Sequence, residues 1–158
     1  MMTTRAQVRA LTHLRASPLL HTMESKHLKK LAAIAVEAEF GKDEIIYQRG
    51  QMGQALYLIV EGEVTIATDV PGQEPVVLHT LGPGQLFGWS ALFPQERKMF
   101  KTRATRPTRV LVMAAEQIRT IWQADTAFEY ALIRRGGEAM ANRLTMIRQQ
   151  LAAMMVQA

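Results

Sequence analysis

Residues 84–105 read GQLFGWSALFPQERKMFKTRAT, a glycine-bounded apolar cluster directly ahead of a burst of positive charge. Glycine permits a tight backbone whose amide groups converge, and neighbouring cations add charge. Those residue types in that order suit a small anionic ligand such as a phosphate. From Glu96 to Arg109 there are six cations, Arg97, Lys98, Lys101, Arg103, Arg106 and Arg109, against one acid. Their excess of +5 equals the formal net charge of the whole chain. A charge run can equally be a solvated loop face. Trp89 complicates the anion reading, because a bulky neutral indole follows Gly88 where the first exposed amides of such a turn would lie. It either fills the space or stacks on a bound molecule.

Other chemistry is thinly supported. The chain has no cysteine, which removes disulfides, thiolate metal sites and a cysteine nucleophile, and suits a reducing, cytoplasmic setting. His13, His21, His27 and His79 lack metal-ligand spacing, so no metal site is expected. No nucleophile–base pair, paired carboxylates or phosphate-loop motif is present, and catalysis is not expected. No apolar run approaches the roughly 18–20 residues of a membrane span. With 158 residues, 48% hydrophobic and 21% charged, the chain has the composition of one compact domain.

The elements that must position the cluster follow from periodicity. Residues 1–17 form a basic arm in which Val8, Leu11 and Leu14 have helical spacing; a targeting segment is the alternative. Ser17-Pro18 marks a loop. Ser25 is a plausible cap for a helix whose stripe is Leu28, Leu31, Ile34 and Ala35. The period then changes to short strands cut by glycine: Ala55–Val60, Val64–Val70, Val76–Leu81 and Arg109–Met113, with a turn at Pro71-Gly72. Short antiparallel strands at these intervals predict a sandwich or barrel. Glu116–Gln123 is a short helix, and Asp125 caps a long one. Met140, Leu144, Ile147, Leu151 and Met154 fall at spacings of 4, 3, 4 and 3, a heptad seam that serves either a homodimer or the chain's own core. Gly136-Gly137 interrupts this helix at a cost of about 2 kcal/mol, so a bend or a close contact is expected there.

A helical lead-in, a glycine-punctuated β-roll and a long last helix resemble the cyclic nucleotide-binding domain, in particular the sensor half of the catabolite-activator and fumarate–nitrate regulator superfamily. YQRGQMGQALYLIVEGEVTI resembles that family's strand–turn–strand signature at Gly50, Gly53, Tyr57, Ile59, Gly62 and Val64. LGPGQLFGWSALF resembles the entry to its phosphate-binding cassette at Gly84, Phe87, Gly88, Ala91 and Leu92. MANRL resembles the start of its dimerisation helix. The resemblance implies a mainly β fold with flanking helices, a jelly-roll-like β-roll over residues 18–124, and a dimerisation helix over 125–158.

Departures from that pattern shape the functional expectation. Nucleotide-responsive members carry a glutamate after the Gly88 equivalent, accepting from the ribose 2′-hydroxyl; Trp89 cannot accept. Where the family has an arginine and a small hydroxyl residue for the cyclic phosphate, this chain has Lys98 and Met99. Lysine keeps the charge and loses the bidentate fork, and Arg97 could substitute only if the loop shifts. At roughly 1.5–3 kcal/mol per charged hydrogen bond, the two losses cost about two to four powers of ten in affinity. The expected lining of a degenerate pocket is Phe87, Gly88, Trp89, Ser90, Ala91, Arg97, Lys98 and Met99. The expected function is a stand-alone sensor or adaptor domain that does not respond to cyclic AMP, with no cofactor but room for an unidentified small ligand. Expected partners are a second copy and an unknown protein. Regulators of the superfamily add a winged helix-turn-helix after the long helix. The sequence ends at Ala158, so sequence-specific DNA binding by this chain alone is not expected. The alternatives are a regulator's sensor half without its DNA-binding domain, and a ligand-free module whose basic loop meets an acidic partner.

Overall fold

The computed structural model describes residues 4–93, 98 and 100–157. Two helices come first, α1 (Arg5–Ala16) and α2 (Ser25–Ile34), followed by β1 (Val36–Phe40), β2 (Ile45–Tyr47), β3 (Ala55–Glu61), β4 (Val64–Thr68) and β5 (Val76–Leu81). Next are β6 (Leu86–Phe87), one 3-10 turn at Trp89–Leu92, β7 (Lys101–Ala104), β8 (Thr108–Ala114), α3 (Ala115–Ala124) and α4 (Thr126–Val156). The strands form two four-stranded antiparallel sheets, ordered β1-β8-β3-β6 and β2-β7-β4-β5. This is the mainly β roll with flanking helices that the sequence predicts.

Strand alternation divides the interior into two cores. On β3, Leu56 and Leu58 join the helices, while Tyr57 and Ile59 face the inside of the roll. On β8, Leu111 and Met113 take the helical side, and Val110 and Val112 the roll side. Leu86 and Phe87 of β6 split in the same way. A one-residue slip of β3 would exchange the two sets, so register is strongly specified here.

The basic arm is a helix integrated with the domain. Thr4 and Gln7 form a reciprocal capping box (3.1 and 2.9 Å), and Ala10 and Leu14 are buried in the helical core. Ser25 does not cap α2: Glu24 is the cap residue, without a side-chain bond, and the Ser25 hydroxyl accepts from Arg15 at 2.6 Å. Ser17, fully buried, donates from Oγ to the Gly84 carbonyl at 2.7 Å, fastening the chain after α1 to the start of the cassette.

α4 runs without a break through Gly136-Gly137, so the expected interruption there does not occur. Its cap is Asp125, which accepts from the Phe128 amide and pairs with Lys30. Lys30 first, and the Phe128 amide second, hold the Asp125 carboxyl below its ordinary value. The first half of α4 buries Phe128, Leu132 and Gly136. In the second half Met140, Leu144, Leu151 and Met154 are 42–56% exposed and Ile147 is half-buried, so the chain's own core does not absorb the seam. Further out, Gln150 donates from Nε2 to the Val77 carbonyl of edge strand β5 at 3.1 Å. Among the described residues, no helix is long and apolar enough to cross a membrane.

Candidate functional site

The cassette opens where β6 ends. Gly88 has φ +92°, and a Cβ there would stand 2.6 Å from the Ala55 carbonyl oxygen, so only glycine fits. The 3-10 turn begins directly after it and commits one amide internally, from Ala91 to the Gly88 carbonyl at 3.0 Å. Arg119 of α3 caps the other end, donating to the Ala91 carbonyl at 2.9 Å.

Trp89 is 7% exposed and belongs to the helical core rather than the roll interior. Its six-membered ring lies against Gly136 of α4: a Cβ at that glycine would be 2.9 Å from Cε3 and 3.2 Å from Cζ3. The glycine pair thus marks a close contact, made by Gly136 alone; Gly137 has nothing within 4 Å of its Cβ position. Trp89 Nε1 is buried without a hydrogen-bond partner.

Lys98 is buried and tied on both backbone sides to the β2–β3 loop: its amide donates to Gln51 and its carbonyl accepts from Gly50, each at 2.7 Å. Its Nζ donates to Ser90 Oγ at 2.9 Å and lies 4.2 Å from the centre of the Tyr47 ring. Burial, with a smaller contribution from Arg143, lowers its pKa to about 8. Tyr47 leans on Tyr57 and Phe87, which stack on each other at 4.7 Å as a cross-strand pair.

Of the expected pocket lining, Phe87, Trp89 and Lys98 line clefts, and they line two different ones; Gly88, Ser90 and Ala91 line neither. Phe87 and Trp89 line the larger, about 670 Å³, between β4, β5 and β6 on one wall and residues 138–146 of α4 on the other. Lys98 lines a second, about 400 Å³, beneath the β2–β3 loop with Tyr47, Tyr57 and Gly53. At the turn, Ser90 accepts from the Lys98 ammonium, and Ala91 is buried. Arg97 and Met99 lie outside the described residues.

The remaining described cations of the run spread over strands β7 and β8 and the turn between them. Arg103, Arg106 and Arg109 face solvent, and the last two pair with Glu63 (3.4 Å) and Glu61 (3.0 Å). Among the described residues, no group of three histidines, aspartates or glutamates could hold a metal ion.

Sequence reasoning missed Arg143. This residue of α4 reaches the roll, its guanidinium 5.3 Å from the centre of the Phe100 ring, and it lines the larger cleft beside His79. Burial lowers its pKa from the ordinary arginine value, which is high enough to leave it charged at neutral pH. Burial first, and the charge on Arg143 second, lower the His79 pKa and favour its neutral ring. A signal existed: Gly136, Ala139 and Arg143 follow at spacings of 3 and 4, one helical face with small residues ahead of a cation.

Comparison with known proteins gives one consistent picture. A family model described as the cyclic nucleotide-binding domain matches residues 37–125. The cyclic AMP receptor protein of Thermus thermophilus is 27% identical over 143 residues, covering 90% of this chain and 57% of its own. The cAMP-activated global transcriptional regulator Vfr of Pseudomonas aeruginosa is 29% identical over 131 residues, 80% of this chain and 59% of its own. The chain thus spans less than two thirds of the length of these relatives. Among solved structures, a cyclic nucleotide-binding domain from Methylobacillus flagellatus superposes with a TM-score of 0.78 at 16% identity, covering 93% of this chain and 83% of that one.

Proposed function

The chain belongs to the cyclic nucleotide-binding domain family, and on that premise we propose that it is a sensor or adaptor domain with an altered cassette that does not respond to cyclic AMP. Its ligand enters the cleft between the roll and α4, and occupancy is reported through α4. The observation that carries this reading is the Trp89–Gly136 contact. The cassette residue that replaces the ribose acceptor touches the helix that would relay the signal, so a molecule shifting the indole must also load α4. The exposed heptad positions Met140, Leu144, Leu151 and Met154 support a homodimer through this helix. No chemistry beyond binding is assigned to the site.

Two measurements test the reading. A thermal shift assay with cyclic AMP and cyclic GMP at about 100 µM should give no stabilisation, since binding at a Kd near 1 µM would add roughly 2.7 kcal/mol; a clear shift refutes it. Solution mass should be that of a dimer, and Leu144→Glu should return it to a monomer.

The relatives favour a second reading, in which the domain is the sensing part of a transcription regulator. DNA binding would then belong to a segment or protein beyond these residues, and operator binding by the 158-residue chain alone would contradict the division of labour proposed here.

A further inference from the structure

We infer that the cleft between the roll and α4 takes a small organic monoanion with an apolar body, recognised by its oxyanion through Arg143 and Trp89. This rests on the reading of that cleft as the ligand site. Three of its lining residues carry buried nitrogens with no partner: Trp89 Nε1, Arg143 Nε and His79 Nδ1. The indole and guanidinium groups are donors at any ordinary pH. Each is closed to solvent, so an acceptor reaches it only if the side chain turns towards the cleft, and the cost of an unpaired buried donor favours that turn.

Three polar groups on the same walls are already engaged. The Gly84 carbonyl takes the Ser17 hydroxyl, and Gln85 Oε1 takes the Gly82 amide at 2.7 Å. The Thr145 hydroxyl donates to the Ala141 carbonyl at 3.1 Å. Asn142 and Glu138 also line the cleft and can accept, so its polar walls are mixed. An oxyanion can pair with the indole and guanidinium donors.

Charge and shape narrow the class. Burial beside Arg143 disfavours a charge on His79, Lys98 lines the other cleft, and Glu138 is exposed and pairs with Arg134. Arg143 therefore supplies one positive charge, which matches a single negative one. Its guanidinium lies over the Phe100 ring, with Nε buried and unpaired. Ile66, Leu81, Leu86, Phe87, Met140 and Met146 form the rest of the walls, suited to an apolar chain or ring.

The test uses octanoate, with 1-octanol as its uncharged counterpart and cyclic AMP as a third arm, by calorimetry on the full chain. Octanoate should bind at least ~10-fold more tightly than octanol, because a charged hydrogen bond separates them. Arg143→Gln should weaken octanoate by about 10- to 100-fold and leave octanol unchanged. Trp89→Phe, which removes the N–H and keeps a ring, should weaken octanoate about 5-fold. Absence of octanoate binding, or equal affinity for octanoate and octanol in the unaltered protein, overturns the ligand class; that comparison needs no variant to fold. Octanoate failing while cyclic AMP also gives no heat leaves the sensor reading standing, whereas micromolar cyclic AMP binding overturns the sensor reading itself.

Discussion

Gly136 and Gly137 are adjacent in one helix, yet replacing each by alanine should change stability in opposite directions. Glycine in a helix interior costs about 1 kcal/mol against alanine. At Gly137 the added methyl meets nothing within 4 Å, so the full gain should appear. For a chain of this size it corresponds to a rise in Tm of about 2–4 °C. At Gly136 the methyl would stand 2.9 Å from Cε3 and 3.2 Å from Cζ3 of Trp89. Carbon atoms pack best at roughly 3.5–4.0 Å. The indole is itself buried, so overpacking should cost about 1–3 kcal/mol. Net of the helix gain, Gly136→Ala should lose about 1 kcal/mol, and the two variants should differ by about 2 kcal/mol. Urea unfolding at one fixed protein concentration measures this, since self-association would otherwise shift the midpoint. A Trp89→Leu background supplies the decisive control: with the ring gone, Gly136→Ala should stabilise like Gly137→Ala. Equal stabilisation by both single variants would refute the packing of the cassette on α4.

Lys98 should make stability rise between about pH 8 and pH 10. Its folded pKa of about 8 lies below the ordinary 10.5, so over that window the unfolded chain holds a proton that the folded chain has shed. The rise should be at most about 3 kcal/mol and should flatten in Lys98→Met, measured by urea unfolding at pH 7.5 and pH 10. A decline over the same interval that Lys98→Met removes would contradict the sign. Ser17→Ala should cost about 1–2 kcal/mol, because the Gly84 carbonyl loses its buried partner. Hydrogen exchange should then quicken in the cassette before it does in β8, and an unchanged pattern would detach α1 from the cassette.

The sequence exposed the parts of this fold that repeat a simple rule and hid those that depend on a distant neighbour. β3 and β8 were legible as buried apolar runs because both of their faces are covered. β7 was not: Lys101-Thr102-Arg103-Ala104 looks like a charged loop, and becomes a strand because β4 and β2 pair with it on either side. β6, two residues long, exists only through its pairing with β3. In the site, the sharp turn at Gly88 was readable from glycine alone. The separation of Lys98 from Trp89 was not, because it comes from the clamp that the β2–β3 loop places on the Lys98 backbone. Arg143 escaped notice for the same reason: in a heptad reading it is a polar residue beside the seam, and only the roll across from it reveals its other neighbours.

The bond from Gln150 to the Val77 carbonyl bears on solubility. β5 ends its sheet with Val77 46% exposed, the kind of unpaired margin along which β-proteins stick to one another. The helix that carries the seam also stands guard over that margin, through the Gln150 side-chain amide. Any event that swings the outer half of α4 away therefore uncovers an adhesive strand as well as an apolar stripe, and the open form of this protein would be the form most prone to aggregate.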